Sequence, residues 1–222
     1  MKNYFSPIHL IFFVLLLGFM MTLIQVELLS FAFAKLGLPP ALGLMVLFFS
    51  LLGSVINLPV TRIKSQVPIE ELTQPSYWGL LRMPVRRFHN ETQIFINLGG
   101  CLIPAALSIY LFSNSTLSLP STLLGIAIIT MISYFFSRPI QGLGIGMPIL
   151  VAPVSAALVG LLISPEQSAP LAYISGTLGV LIGADLLHMK DISRLGTPYA
   201  SIGGAGTFDG IFITGIVAAM LA

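Results

Sequence analysis

The chain has 222 residues, of which 8% are Asp, Glu, Lys or Arg and 56% are hydrophobic, and its net charge is +2. A soluble domain carries about a quarter charged residues, so this composition excludes a water-wetted surface and cannot build the basic face that nucleic-acid binding needs. The single cysteine, Cys101, lies in an apolar run; it excludes an intrachain disulfide, a zinc cluster and a thiol redox pair, and reads as a small buried hydrophobe.

Crossing a bilayer takes roughly 20 apolar residues per helix, and stretches of that length recur along the chain. The first covers residues 9–34 and is broken by Lys35 and the Pro39-Pro40 pair. Ala32-Phe33-Ala34 has the form of a signal cleavage site, but the run before it exceeds the about 7–15 apolar residues of such signals. A second span is predicted over 40–60. The one extended polar interval, 61–92, holds Arg62, Lys64, Arg82, Arg86 and Arg87. Within it, residues 75–83 mix aromatic, aliphatic and cationic side chains, which suits either the headgroup level or an ordinary loop.

Further spans are predicted over 93–112, 121–136, 140–163, 169–187 and 199–222. The fifth holds Gly142, Gly144, Gly146, Pro148 and Pro153. Close helix packing through small residues is the favoured reading there, and a broken or re-entrant segment is the alternative. The expected fold is therefore all-α: a polytopic transmembrane bundle of about seven spans, one domain over 1–222 with a cytoplasmic loop at 61–92. With the amino terminus inside, nine of the ten Lys and Arg residues fall on the cytoplasmic side and only Lys35 falls outside, as the positive-inside rule requires.

Ionisable groups at bilayer depth are costly to insert, so the acids inside the spans are the strongest functional pointers. They are Glu27, Asp185 and Asp209. Asp185 and Asp209 sit on consecutive spans that a short joint makes antiparallel. A helix from Tyr199 would place Asp209 about 15 Å in. Two carboxylates held close in a low dielectric share a proton, and one then serves as general base on water while the other donates to a carbonyl oxygen. Asp185 and Asp209 are thus the candidate catalytic pair. Gly203, Gly204, Gly206, Phe208 and Gly210 surround the second acid, and the glycines would let a substrate backbone approach. The bland alternatives are that Asp185 pairs with Lys190 or Arg194 and that Asp209 caps or kinks the last helix.

Glu27, His188 and Asn57 form a candidate polar cluster, with Glu27 equally able to snorkel to the outer interface. Asp185, His188 and Asp191 make a D-x-x-H-x-x-D series, but on a straight helix they fan over about 120°, so neither a metal nor a cofactor is expected.

These motifs also carry a resemblance. Residues 173–179, Gly183-Ala184-Asp185-Leu186-Leu187 and Ser201-Ile202-Gly203-Gly204-Ala205-Gly206-Thr207-Phe208-Asp209-Gly210-Ile211-Phe212 resemble a bacterial and archaeal family of multi-pass membrane proteins defined as a domain of unknown function. Residues 53–59 and 142–148 are further landmarks, so that the likeness extends over nearly the whole chain and implies a prokaryotic cytoplasmic membrane. The placement of the two acids is similar to that in intramembrane aspartyl proteases of the presenilin and signal peptide peptidase type, which implies a membrane-embedded peptide substrate. Phe208 stands where those proteases have a second glycine, no Tyr precedes Asp185, and Pro40-Ala41-Leu42 occurs only near the amino terminus. The rival expectations are a proton- or ion-coupled transporter using the same acids and a non-catalytic membrane scaffold.

Overall fold

A computed structural model describes residues 7–64, 91–140, 144–194, 197–204 and 210–222. The interfacial segment expected at 75–83, Arg82, Arg86, Arg87, Gly142, Gly206, Phe208 and Asp209 lie outside the described residues.

Helices dominate. The chain opens with α1 (Pro7–Lys35) and α2 (Pro40–Gly53). Between them Gly37 turns at φ 72, and Pro40 starts α2 at a position whose missing N–H would have no helical partner. After two strands come α3 (Ile103–Asn114) and α4 (Leu119–Phe136). The Ser118 hydroxyl caps α4 by accepting from Ser121 N, and Pro120 follows in the first turn. Then come α5 (Val151–Ile163), α6 (Ser168–Val180) and α7 (Gly210–Leu221).

Helix α6 is the axis of the bundle: Leu171, Ala172, Tyr173, Ser175 and Thr177 on it are wholly buried. It packs against α3, α4, α5 and α7. Small residues permit this, as without a hydrophobic drive between helices in lipid, close backbone approach supplies the attraction. A Cβ at Gly160 would run into Ser168 O and Ala172, and one at Gly183 into Thr130 O and Ser133. Helices α6 and α7 are antiparallel, since Ser168 Oγ at the start of one donates to Ala222 O after the end of the other, at 3.0 Å. Lys35 Nζ donates to Met220 O at the same end. Ala32 and Phe33 bury the last turns of α1 in the core, whereas its residues from Leu10 to Leu28 are exposed apart from the helix they form.

Among the described residues three segments, Leu10–Lys35, Leu119–Phe136 and Pro165–Leu186, are long and apolar enough to cross a membrane. The chain is a membrane protein by that measure. The other four apolar helices are shorter, and here the structure departs from the seven full spans expected. The second span ends at Gly53 and gives way to strand β1 (Asn57–Lys64). The third begins as strand β2 (Glu91–Asn97), and the seventh begins as strand β5 (Tyr199–Ile202). The fifth is broken: β3 (Arg138–Ile140) and β4 (Gly144–Gly146) form a hairpin before α5. The bundle is helical as expected, but a small sheet closes one end of it.

The physical reason lies in short-range pattern. Thr92, Ile94 and Asn97 are buried on β2, yet the apolar run that contains them has the length of a helix, and short apolar runs do not distinguish the two. The sheet order is β1-β2-β5, with β1 antiparallel and β5 parallel to β2. The register of β1 shifts between Pro59 and Thr61, which suits a proline lacking the N–H that a ladder needs. Arg62 and Lys64 complete an outer strand that resists pairing with other chains.

Asn97 leads into a π-helical turn, Leu98–Leu102, that starts α3. Gly99 in this turn lies flush against α2, where a Cβ would meet Ser50 O and Ser54 N and come within 2.8 Å of Gly53 C. All three are backbone atoms, so nothing can swing aside. Gly99→Ala is expected to destabilise the fold by about 2–3 kcal/mol, read as a lower melting midpoint in detergent. An unchanged midpoint would show that α2 and α3 are not locked here.

Candidate functional site

Asp185 sits on a second π-helical turn, Leu181–Leu186, which continues α6. The wider turn is visible in the Leu187 N–H bond to Ile182 O at 2.9 Å, and such turns inside helices recur at functional sites. His188 closes it: Nδ1 lies 3.0 Å from Gly183 O, and because a carbonyl only accepts, that nitrogen carries a proton. The imidazole is buried and lies 4.8 Å from the Tyr134 ring, tilted by 32°.

Strand β5 runs toward Asp185 and is followed by Gly203 and Gly204, at φ 81 and φ 90. This left-handed pair turns the chain so that Gly203 N donates to Asp185 Oδ2 at 3.0 Å. A Cβ on Gly203 would lie 2.6 Å from Cys101 Cβ and 2.7 Å from Cys101 N. Glycine is thus required here both by conformation and by space.

Beside Asp185 lies a cavity of about 560 Å³. All of β4 and β5 line it, with Ala184 and Asp185 on one wall and Ile211 and Thr214 of α7 on another. Most of the lining is apolar. Ile149, Leu150 and Ile213 also contribute, and all three are exposed at the surface, Ile149 at 85% and Leu150 at 68%. The cavity therefore reaches the surface at greasy side chains next to the start of α5.

The expected site residues are distributed as follows. Gly204 lines the cavity and Gly203 contacts Asp185 directly. Gly210 is the first residue of α7. Asp209 precedes it in sequence, and the depth of about 15 Å expected for that acid is withdrawn, since residues 199–202 rise as a strand and not as a helix. Glu27, His188 and Asn57 have three different neighbourhoods: Glu27 is exposed on α1, His188 is beside Tyr134, and Asn57 belongs to the sheet. No group of three His, Cys, Asp or Glu side chains with metal-binding placement occurs among the described residues. Sequence reasoning missed Asn97 and Ser201. Asn57 Oδ1 accepts from Asn97 Nδ2 at 3.1 Å and from Ser201 Oγ at 2.9 Å. The only signal was an Asn ahead of a glycine pair.

A family model described as "Protein of unknown function (DUF1614)" matches residues 51–221. The chain belongs to this family. The DUF1614 region takes in Asp185, Asp209, the glycine run, Asn57 and His188, but begins after α1 and most of α2, so the match is shorter than the near-complete one expected and leaves Glu27 outside. The DUF1614 description brings no activity. No curated protein and no solved structure matches the chain, so nothing in these comparisons supports the likeness to aspartyl proteases expected from the two acids and the topology.

Proposed function

We propose that this chain is a multi-pass membrane hydrolase that cuts membrane-embedded peptide segments, with Asp185 and Asp209 as its acid–base pair. One observation carries the reading: Asp185 lines a mostly apolar cavity that reaches the exposed apolar side chains Ile149, Leu150 and Ile213. A substrate held in hydrocarbon enters there without crossing water. An intact helix is about 10–12 Å across, so a cavity of about 560 Å³ accepts little more than one turn of it, and the scissile stretch must arrive unwound. The edge strand β5 supports this, since all its residues line the cavity and its outer backbone groups suit an extended chain.

In the proposed reaction one carboxylate takes a proton from water as the water oxygen bonds to the peptide carbonyl carbon. The other carboxylic acid donates its proton to the carbonyl oxygen. The C–N bond then breaks, the leaving nitrogen takes a proton, and a new carboxyl and a new amine result. The sheet end, which carries Arg62, Lys64, Arg138 and Lys190, faces the cytoplasm of a prokaryotic cell, and Lys35 lies at the opposite end.

A carrier is the second reading. It is favoured by the strands and the hairpin that replace helix at one end, because broken helices line ion and substrate paths in transporters. Purified protein in liposomes with a reporter transmembrane helix separates the two. The hydrolase yields two fragments, lost in Asp209→Asn. Absence of fragments together with acid-driven flux into sealed vesicles would reject the hydrolase in favour of the carrier.

A further inference from the structure

Asn97 is the last residue of β2, it is wholly buried, and its side chain joins four parts of the chain. Its Nδ2 donates to Ser54 O at 2.6 Å and to Asn57 Oδ1 at 3.1 Å, and its Oδ1 accepts from Gly100 N at 2.7 Å. The orientation of the amide follows from its partners, because Gly100 N can only donate and Ser54 O can only accept. Asn57 Oδ1 also accepts from Ser201 Oγ. A single amide therefore ties the end of α2, the start of β1, the π-helical turn before α3 and, through Asn57, strand β5.

Two of these ties converge on Asp185. Ser201 lies two residues before Gly203, whose N–H reaches Asp185 Oδ2. Gly100 and Cys101 form the seat on which Gly203 rests, close enough to exclude a Cβ. Both the strand that delivers the Gly203 amide and the surface that supports it are thus set by Asn97. The β1–β2 ladder runs on backbone pairs from Asn57↔Asn97 to Lys64↔Glu91 and does not need this side chain, yet the network stands at the ladder's site end. A buried polar network with every partner satisfied fixes one arrangement, and a half-satisfied one does not.

We infer that Asn97 is a positioning residue for the Asp185 carboxyl, acting through Asn57, Ser201 and the Gly203 amide. The inference rests on the proposed role of Asp185, and its test has a readout independent of cleavage. Dicyclohexylcarbodiimide modifies carboxyl groups in apolar surroundings, and its adduct at Asp185 is read by peptide mass spectrometry on the full-length protein in liposomes. Asn97→Asp keeps the acceptor for Gly100 N but removes both donors. Ser201→Ala removes one hydroxyl from a half-buried site, so it keeps the test decisive if Asn97→Asp fails to fold. Ser201→Ala is expected to raise labelling of Asp185 about fivefold, the equilibrium factor for one lost hydrogen bond, and Asn97→Asp, which loses two, to raise it further. Ser201→Thr, which retains the hydroxyl, is expected to label and cleave like the wild type, whereas reporter cleavage by Ser201→Ala should fall. Unaltered labelling in folded Ser201→Ala overturns the inference. If labelling shifts while the wild type cleaves nothing, the hydrolase reading fails and the positioning of Asp185 by Asn97 stands.

Discussion

Asp185→Asn is expected to fold like the wild type and to cleave a reporter helix about 10²–10⁴-fold more slowly, the usual range for loss of a positioned acid–base group. The expectation of normal folding comes from the hydrogen bond at this residue: the amide oxygen of Asn accepts from Gly203 N as the carboxylate Oδ2 does at 3.0 Å. What is lost is the capacity to gain and release a proton. Fragment yield in liposomes, paired with a melting curve in detergent, reads both quantities. Full cleavage by a well-folded Asp185→Asn would remove Asp185 from the chemistry, and with it the proposed pair.

The second large effect is expected at Gly203→Ala. At φ 81 an L-residue bears a left-handed penalty of about 1–2 kcal/mol. The added methyl group would also press on Cys101 N at 2.7 Å and Gly100 C at 2.8 Å, and overpacking of this kind costs about 1–3 kcal/mol. A total near 3 kcal/mol is expected, on the order of the larger single-residue losses in proteins. The turn after β5 then shifts off its seat, which predicts both a lower melting midpoint and faster alkylation of Cys101, the chain's single cysteine, buried under that turn. Gly18→Ala is the control: nothing lies within 4 Å of a Cβ there, so no loss is expected. Equal stability of the two variants would sink the proposed seat.

The helical parts were readable wherever a local signal marked them. Pro39-Pro40 predicted a break and produced one, and the fourth span, expected at 121–136, is α4 with two further residues at its capped start. In the fifth span the break of the alternative reading is present: Gly144 and Gly146 belong to a strand paired with Arg138–Ile140, while Pro153 and Gly160 pack inside α5. The sheet could not be read because its evidence is non-local. Tyr199–Ile202 becomes a strand only by pairing with β2, more than a hundred residues earlier, and its apolar composition is equally that of a helix. The rule that intramembrane acids mark function picked out both Asp185 and Glu27 and cannot tell a cavity wall from an exposed helix face. The structure places Asp185 on the first and Glu27 on the second.

Helices α2, α5 and α7 have 14, 13 and 12 residues. At 1.5 Å per residue they reach only about 18–21 Å, well short of a hydrocarbon layer about 30 Å thick. Most of α7 is buried in the bundle, but where the exposed faces of α2 and α5 meet hydrocarbon, lipids are expected to dip or tilt, at a fraction of a kcal/mol for each ångström of mismatch. Such a dent shortens the distance from the aqueous phase to the mouth near Ile149, so that a bilayer of shorter acyl chains should suit this protein better than a thick, sterol-stiffened one.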